Sequence, residues 1–73
     1  MFVRYLDRTG KMMSYRMHGM TDAHCFPSRT YANACAAQLV RDRYSKRTEV
    51  VSYGGQVLDR WCRFGWLLRH TDR

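Results

Sequence analysis

The residues best suited to chemistry in this sequence are Cys25, Cys35 and Cys62, with His18, His24 and His70. Together they could hold a zinc ion, or pair as a thiolate and its base. Their spacing argues against both. A zinc site needs two ligands from one turn, and no CxxC, HxxxH or similar pairing occurs. His24 and Cys25 are adjacent, so on an extended segment they point to opposite sides. Neither His18 nor His24 has a third group nearby to orient it as a base for Cys25, and no oxyanion hole is visible. The six carboxylates, Asp7, Asp22, Asp42, Glu49, Asp59 and Asp72, show no spacing that pairs an acid with a base. Gly54-Gly55 is too short for a phosphate loop and lacks the Lys-Ser/Thr that follows one. A non-enzymatic protein with no cofactor and no metal is expected. Cys35 and Cys62 are then small buried hydrophobes, and the histidines surface or turn residues.

The arginines and aromatics offer a different chemistry. The 73 residues carry thirteen basic against six acidic side chains, a net charge of +7. Eleven of the thirteen are Arg; only Lys11 and Lys46 are Lys. Aromatics make up 14%, interleaved with arginine in Arg4-Tyr5, in Tyr15-Arg16 and in Arg60-Trp61-Cys62-Arg63-Phe64-Gly65-Trp66. A guanidinium pairs with phosphate or carboxylate while a neighbouring ring stacks or packs. Nucleic acid and an acidic protein surface both suit that chemistry. Trp, Tyr and Arg are also the residues that dominate protein hot spots. Either Trp61 or Phe64 can instead fill the core. The binding candidates are Arg4 and Tyr5 on a first strand, and Arg60, Arg63 and Trp66 near the C-terminus. Their expected roles are ion pairing around one aromatic anchor.

The elements that carry these residues follow from pattern. Phe2–Asp7 reads as a strand. Asp7-Arg8-Thr9-Gly10-Lys11 is a hairpin turn, with Gly10 free to take positive φ. Met12–His18 alternates as a second strand. The segment from Arg29 to Tyr44 is the clearest helix, capped by Ser28 or Thr30 after Pro27. Ala32, Cys35, Ala36, Leu39 and Val40 form its apolar stripe, and Arg29, Asn33, Ala37 and Arg41 its outward face. Its small residues allow a close approach to a sheet. Arg41, Arg43, Lys46 and Arg47 gather at its C-terminal end, where they complement the helix dipole. Thr48–Tyr53 reads as a third strand and Gly54-Gly55 as a hairpin. Gln56–Trp66 fits a strand or a helix; the Gly-Gly turn and the aromatics favour the strand. Residues 67–73 read as a frayed tail.

A single α+β domain of order β-β-α-β-β is expected, with one helix covering one face of an antiparallel sheet. The other face is left for solvent or binding. So short a chain buries only about 60–65% of its unfolded surface, which leaves little stability for a deep catalytic pocket. An apolar content of 45% is too high for a disordered chain. No run of about 18 apolar residues spans a membrane, and Met1-Phe2-Val3-Arg4-Tyr5 lacks the apolar stretch of a secretory signal. The expected protein is monomeric and cytoplasmic, with free thiols.

Met1-Phe2-Val3-Arg4-Tyr5-Leu6-Asp7 and Phe26-Pro27-Ser28-Arg29-Thr30-Tyr31-Ala32 carry a resemblance. In these segments, in length and in basicity, the chain resembles the small RNA-polymerase-binding transcription regulators of lytic Xanthomonas phages. The resemblance implies a hairpin-helix-hairpin protein that engages the β and β′ subunits of the host polymerase. It implies displacement of the sigma factor, inhibition of initiation, and antitermination. It assigns no site residue. Direct nucleic-acid binding by the same surface, or inhibition of another host defence complex, are the alternatives.

Overall fold

The computed structural model describes the backbone of residues 1–63 and 67–71 and the side chains of residues 1–62. Its elements are β1 (Phe2–Leu6), β2 (Met12–Ser14), α1 (Arg29–Arg41), β3 (Arg47–Val51), β4 (Val57–Arg63) and β5 (Leu67–Thr71). The strands form one antiparallel sheet in the order β2-β1-β3-β4-β5. The helix packs on one face, so the expected α+β arrangement of hairpin, helix and hairpin is the observed one. The ambiguous segment after Gly55 is a strand, paired to β3 from Arg47↔Cys62 to Val51↔Val57. Leu67–Thr71, expected as a tail, instead pairs along β4 as a fifth strand.

Local chemistry explains the turns. The Asp7 carboxylate accepts from the Thr9 and Lys11 amides, both at 2.9 Å, and from the Thr9 hydroxyl at 2.6 Å. Gly10 takes φ +87°, the freedom its position requires. Ser28 is the N-cap; its hydroxyl accepts from the Tyr31 amide at 3.4 Å. The helix stops three residues before the expected Tyr44. Arg43 takes a left-handed φ of 62°, its amide bonds the Val40 carbonyl, and the Tyr44 amide bonds that of Leu39. This is a Schellman stop with arginine where glycine is usual. Only Arg41 of the expected basic cluster lies in the last helical turn.

The core lies between helix and sheet. Val3, Ala32, Ala36 and Val50 are fully buried, with Phe26, Leu39, Leu58 and Trp61 packed around them. The alanines let the backbones approach closely. The buried Thr48 hydroxyl donates directly to the Ala36 carbonyl at 2.9 Å. Cys35, Leu39 and the alanines face as expected, but the opposite face does not. Ala37 is buried, and Arg29 and Asn33 turn onto β4. There the carboxylate of Asp59, 0% exposed, accepts from Arg29 Nε at 2.7 Å, Arg29 Nη2 at 3.0 Å and Asn33 Nδ2 at 2.8 Å. The Trp61 indole donates to Asn33 Oδ1 at 2.8 Å. The register slips between Val50 and Val51, and the Leu58 carbonyl at that slip accepts from Arg29 Nη2 at 3.0 Å.

Removing a buried carboxylate from such a clamp leaves its donors unmatched. Asp59→Ala is expected to destabilise the fold by about 3 kcal/mol, with a melting temperature lower by roughly 15 °C. Urea or thermal unfolding of the variant beside the parent checks this.

Candidate interaction surface

Strand geometry decides how the candidate residues are distributed. Neighbours along a strand face opposite sides. The pairings Arg4↔Glu49 and Glu49↔Arg60 place these three in one row on the face away from the helix. Arg4 Nη2 lies 2.9 Å from Glu49 Oε1, and Arg60 Nε lies 3.5 Å from Oε2. Two expected binding residues therefore come together, but around a shared carboxylate. Arg4 Nε is buried without a hydrogen-bond partner among the described residues.

Tyr5 does not join them. Its partner across β1–β3 is Thr48, which bonds the helix, so Tyr5 lies on the opposite face from Arg4. Trp61 is on that face too, opposite Thr48 and away from Arg60. The Arg-aromatic runs read along the sequence are thus split between two faces. Arg63 is described in its backbone alone, at the end of β4, and Trp66 lies outside the described residues.

Tyr5 belongs to a different surface, which the sequence reading missed. Its ring meets that of Tyr44 edge-on, with centroids 5.2 Å apart and planes at 69°. Two open depressions share this pair. One, of about 320 Å³, is lined by Tyr5, Tyr15, Arg16, Met17, Met20 and Tyr44. The other, of about 1050 Å³, runs between the β1–β2 turn and the helix exit, past Arg8, Arg43 and Lys46. Met17 is 47% exposed, Met20 62% and Tyr44 62%. These large apolar side chains are neither core nor scattered.

The chain segments that hold this groove are fixed. The buried Ser45 hydroxyl accepts from the Leu6 amide at 3.0 Å and lies 2.8 Å from the carbonyls of Leu6 and Arg47. This ties the helix exit to β1 and β3. The Schellman stop then sets Tyr44 beside Tyr5. On the far wall, the Tyr15 amide bonds the Val3 carbonyl at 2.8 Å, and Arg16 reaches the Thr21 carbonyl at 3.4 Å. The second strand ends at Ser14 and not at the expected His18, so Met17 joins Met20 in the loop; the signal in the sequence was Met20 beside Gly19, an apolar side chain where no core requires it.

Among the described residues the cysteines and histidines form no comparable centre. Among the described residues no three His, Cys, Asp or Glu side chains gather to hold a metal. Cys25 is exposed, with Sγ 2.6 Å from the Tyr53 hydroxyl. That hydrogen bond, assisted by the Met1 ammonium against the effect of burial, lowers its thiol below the ordinary value. Cys35, half-buried against the core, has its thiol raised by burial.

Compared with protein-family models, curated proteins and solved structures, the chain matches none.

The left-handed arginine at the helix exit can be relieved. Arg43→Gly is expected to stabilise the fold by roughly 0.5–1 kcal/mol, the left-handed strain less the chain entropy that glycine adds. A melting temperature raised by a few degrees in scanning calorimetry is the expected result.

Proposed function

We propose that this protein is a non-enzymatic regulator of phage type that binds bacterial RNA polymerase through its β and β′ subunits. Bound there, it displaces the sigma factor, inhibits initiation and promotes antitermination. Two lines support the reading. The polymerase enters through the resemblance of residues 1–7 and 26–32 to phage regulators. Binding to a protein is supported by the groove, and the observation that carries it is the exposure of Met17, Met20 and Tyr44 beside cations that join no ion pair among the described residues. Methionine and tyrosine beside arginine are the chemistry of protein hot spots. A thioether contributes little to a phosphate backbone.

The arginines of the open face fit a supporting role. Glu49 takes up part of the charge of Arg4 and Arg60, so this row steers an acidic partner and does not track a polyphosphate. Arg63 and Trp66 extend the proposed contact toward the C-terminus. Displacement of sigma requires only that polymerase bind this protein more strongly in the state that disfavours sigma. The working compartment is the cytoplasm of the host, where polymerase resides, and the working form is the monomer. Among the described residues no helix is long and apolar enough to cross a membrane.

Nuclease-treated bacterial lysate passed over the immobilised protein is expected to leave β and β′ bound and to release sigma from added holoenzyme. Loss of every protein partner after nuclease, with a steep salt dependence on naked DNA or RNA, would instead indicate a nucleic-acid module. In the same assay, Arg60→Ala is expected to weaken polymerase retention several-fold. Its effect on stability should stay below about 1 kcal/mol, as for a half-exposed ion pair.

A further inference from the structure

The groove at Tyr5 and Tyr44 has a polarity that specifies its occupant. Its centre is aromatic and apolar. Its ends are cationic: Arg16 at the narrow end, and Arg8, Arg43 and Lys46 along the wide one. No ion pair joins any of these four to a carboxylate among the described residues. The two acids in the groove wall are already engaged. Asp7 holds the turn amides, and Asp42 accepts from Gln38 Nε2 at 2.8 Å. The local balance is four cations against two anions, a net of +2.

That balance selects among ligands. A nucleic-acid strand brings one negative charge per nucleotide, more than a net of +2 can match, and it meets two fixed carboxylates. A second copy of this chain brings another +7. A peptide with a few carboxylates and an apolar residue between them matches both the charge and the centre.

We infer that the groove receives an acidic linear segment of the partner protein, with one apolar side chain seated against Tyr5, Tyr44 and Met17. Carboxylates on either side of that anchor reach Arg16 at one end and Arg8, Arg43 and Lys46 at the other. The inference deepens the regulator reading and rests on it for the identity of the partner. Tyr44 supplies a large rigid contact with little side-chain entropy to lose. The methionines adapt to the shape of the anchor. Arg43 keeps its charge at the groove although its backbone position favours glycine, so it serves the ligand at the expense of the fold.

The test titrates the isotope-labelled full chain with the synthetic peptide Glu-Glu-Phe-Leu-Glu-Glu. Amide shifts are expected at Met17, Met20, Arg43 and Tyr44, with the row of Arg4 and Arg60 unmoved. Replacing Phe-Leu by Ser-Ser in the peptide, or Met17 and Met20 by Ser in the protein, is expected to weaken binding about tenfold, a loss of about 1.4 kcal/mol. Arg43→Gly should melt higher yet bind more weakly, a split that misfolding cannot produce. Shifts confined to the open sheet face, equal binding of the Ser-Ser peptide, tighter binding of oligothymidylate in the groove, or self-association through it would each overturn the inference. Polymerase retention separates the two readings. If the Met17→Ser, Met20→Ser protein holds polymerase as well as the parent does, the groove inference fails and the regulator survives. If the peptide docks but polymerase is never retained, the regulator reading fails and the groove survives.

Discussion

The buried carboxylate of Asp59 is the constraint on which the rest of the structure depends. A charge with no access to water is tolerated only if its lone pairs are matched. Arg29 and Asn33 match them, and they stand one helical turn apart on α1. Apart from Val40, the buried apolar side chains of the helix are small. Ala32, Ala36 and Ala37 offer no large knob to fix its rotation or its position along the sheet. A bidentate guanidinium and an amide do, because their geometry fails if the helix slides by a residue. Asn33 extends the clamp to Trp61, so the same side chain orders the largest ring packed beside the core.

With the N-terminal half of the helix locked on β4, its C-terminal end has one place to go. Thr48 bonds the Ala36 carbonyl and Ser45 joins Leu6 to Arg47. Tyr44 emerges beside Tyr5, and the groove forms between the first hairpin and the helix exit. The surface proposed to bind is thus a consequence of a clamp at the other end of the helix.

The parts of this arrangement that were legible in the sequence are the local ones. The Asp7–Lys11 turn, the Ser28 cap, the alanine stripe and the Gly54-Gly55 hairpin each rest on neighbours in the chain. The clamp is not legible in the sequence, because Arg29 and Asn33 are polar and the amphipathic pattern assigns them to solvent. Their signal lay elsewhere: Asp59 shares an alternation with Trp61, a carboxylate on the same side as a ring large enough to fill the core. The strand at Leu67–Thr71 is short and shows no clear apolar–polar alternation, so its pairing with the neighbouring β4 was not legible. Arg4 and Tyr5 do not share a surface because adjacency in a strand means opposite faces. Arg4 and Tyr5 could not both have been on one side.

The positive charge can now be divided by the job each residue does. Arg29 neutralises Asp59, Arg4 and Arg60 share Glu49, and Arg41 ends the helix. Those charges stabilise or shape the fold. Arg8, Arg16, Arg43 and Lys46 have no such partner among the described residues, and they converge on a concave surface with exposed tyrosine and methionine. Net charge read over the whole chain suggests a polyanion. At the groove the balance is +2, four cations against two carboxylates, and it is set around an apolar centre. A ligand that matches it needs a few well-placed carboxylates and something to bury between them, which a protein segment offers and a phosphate backbone does not.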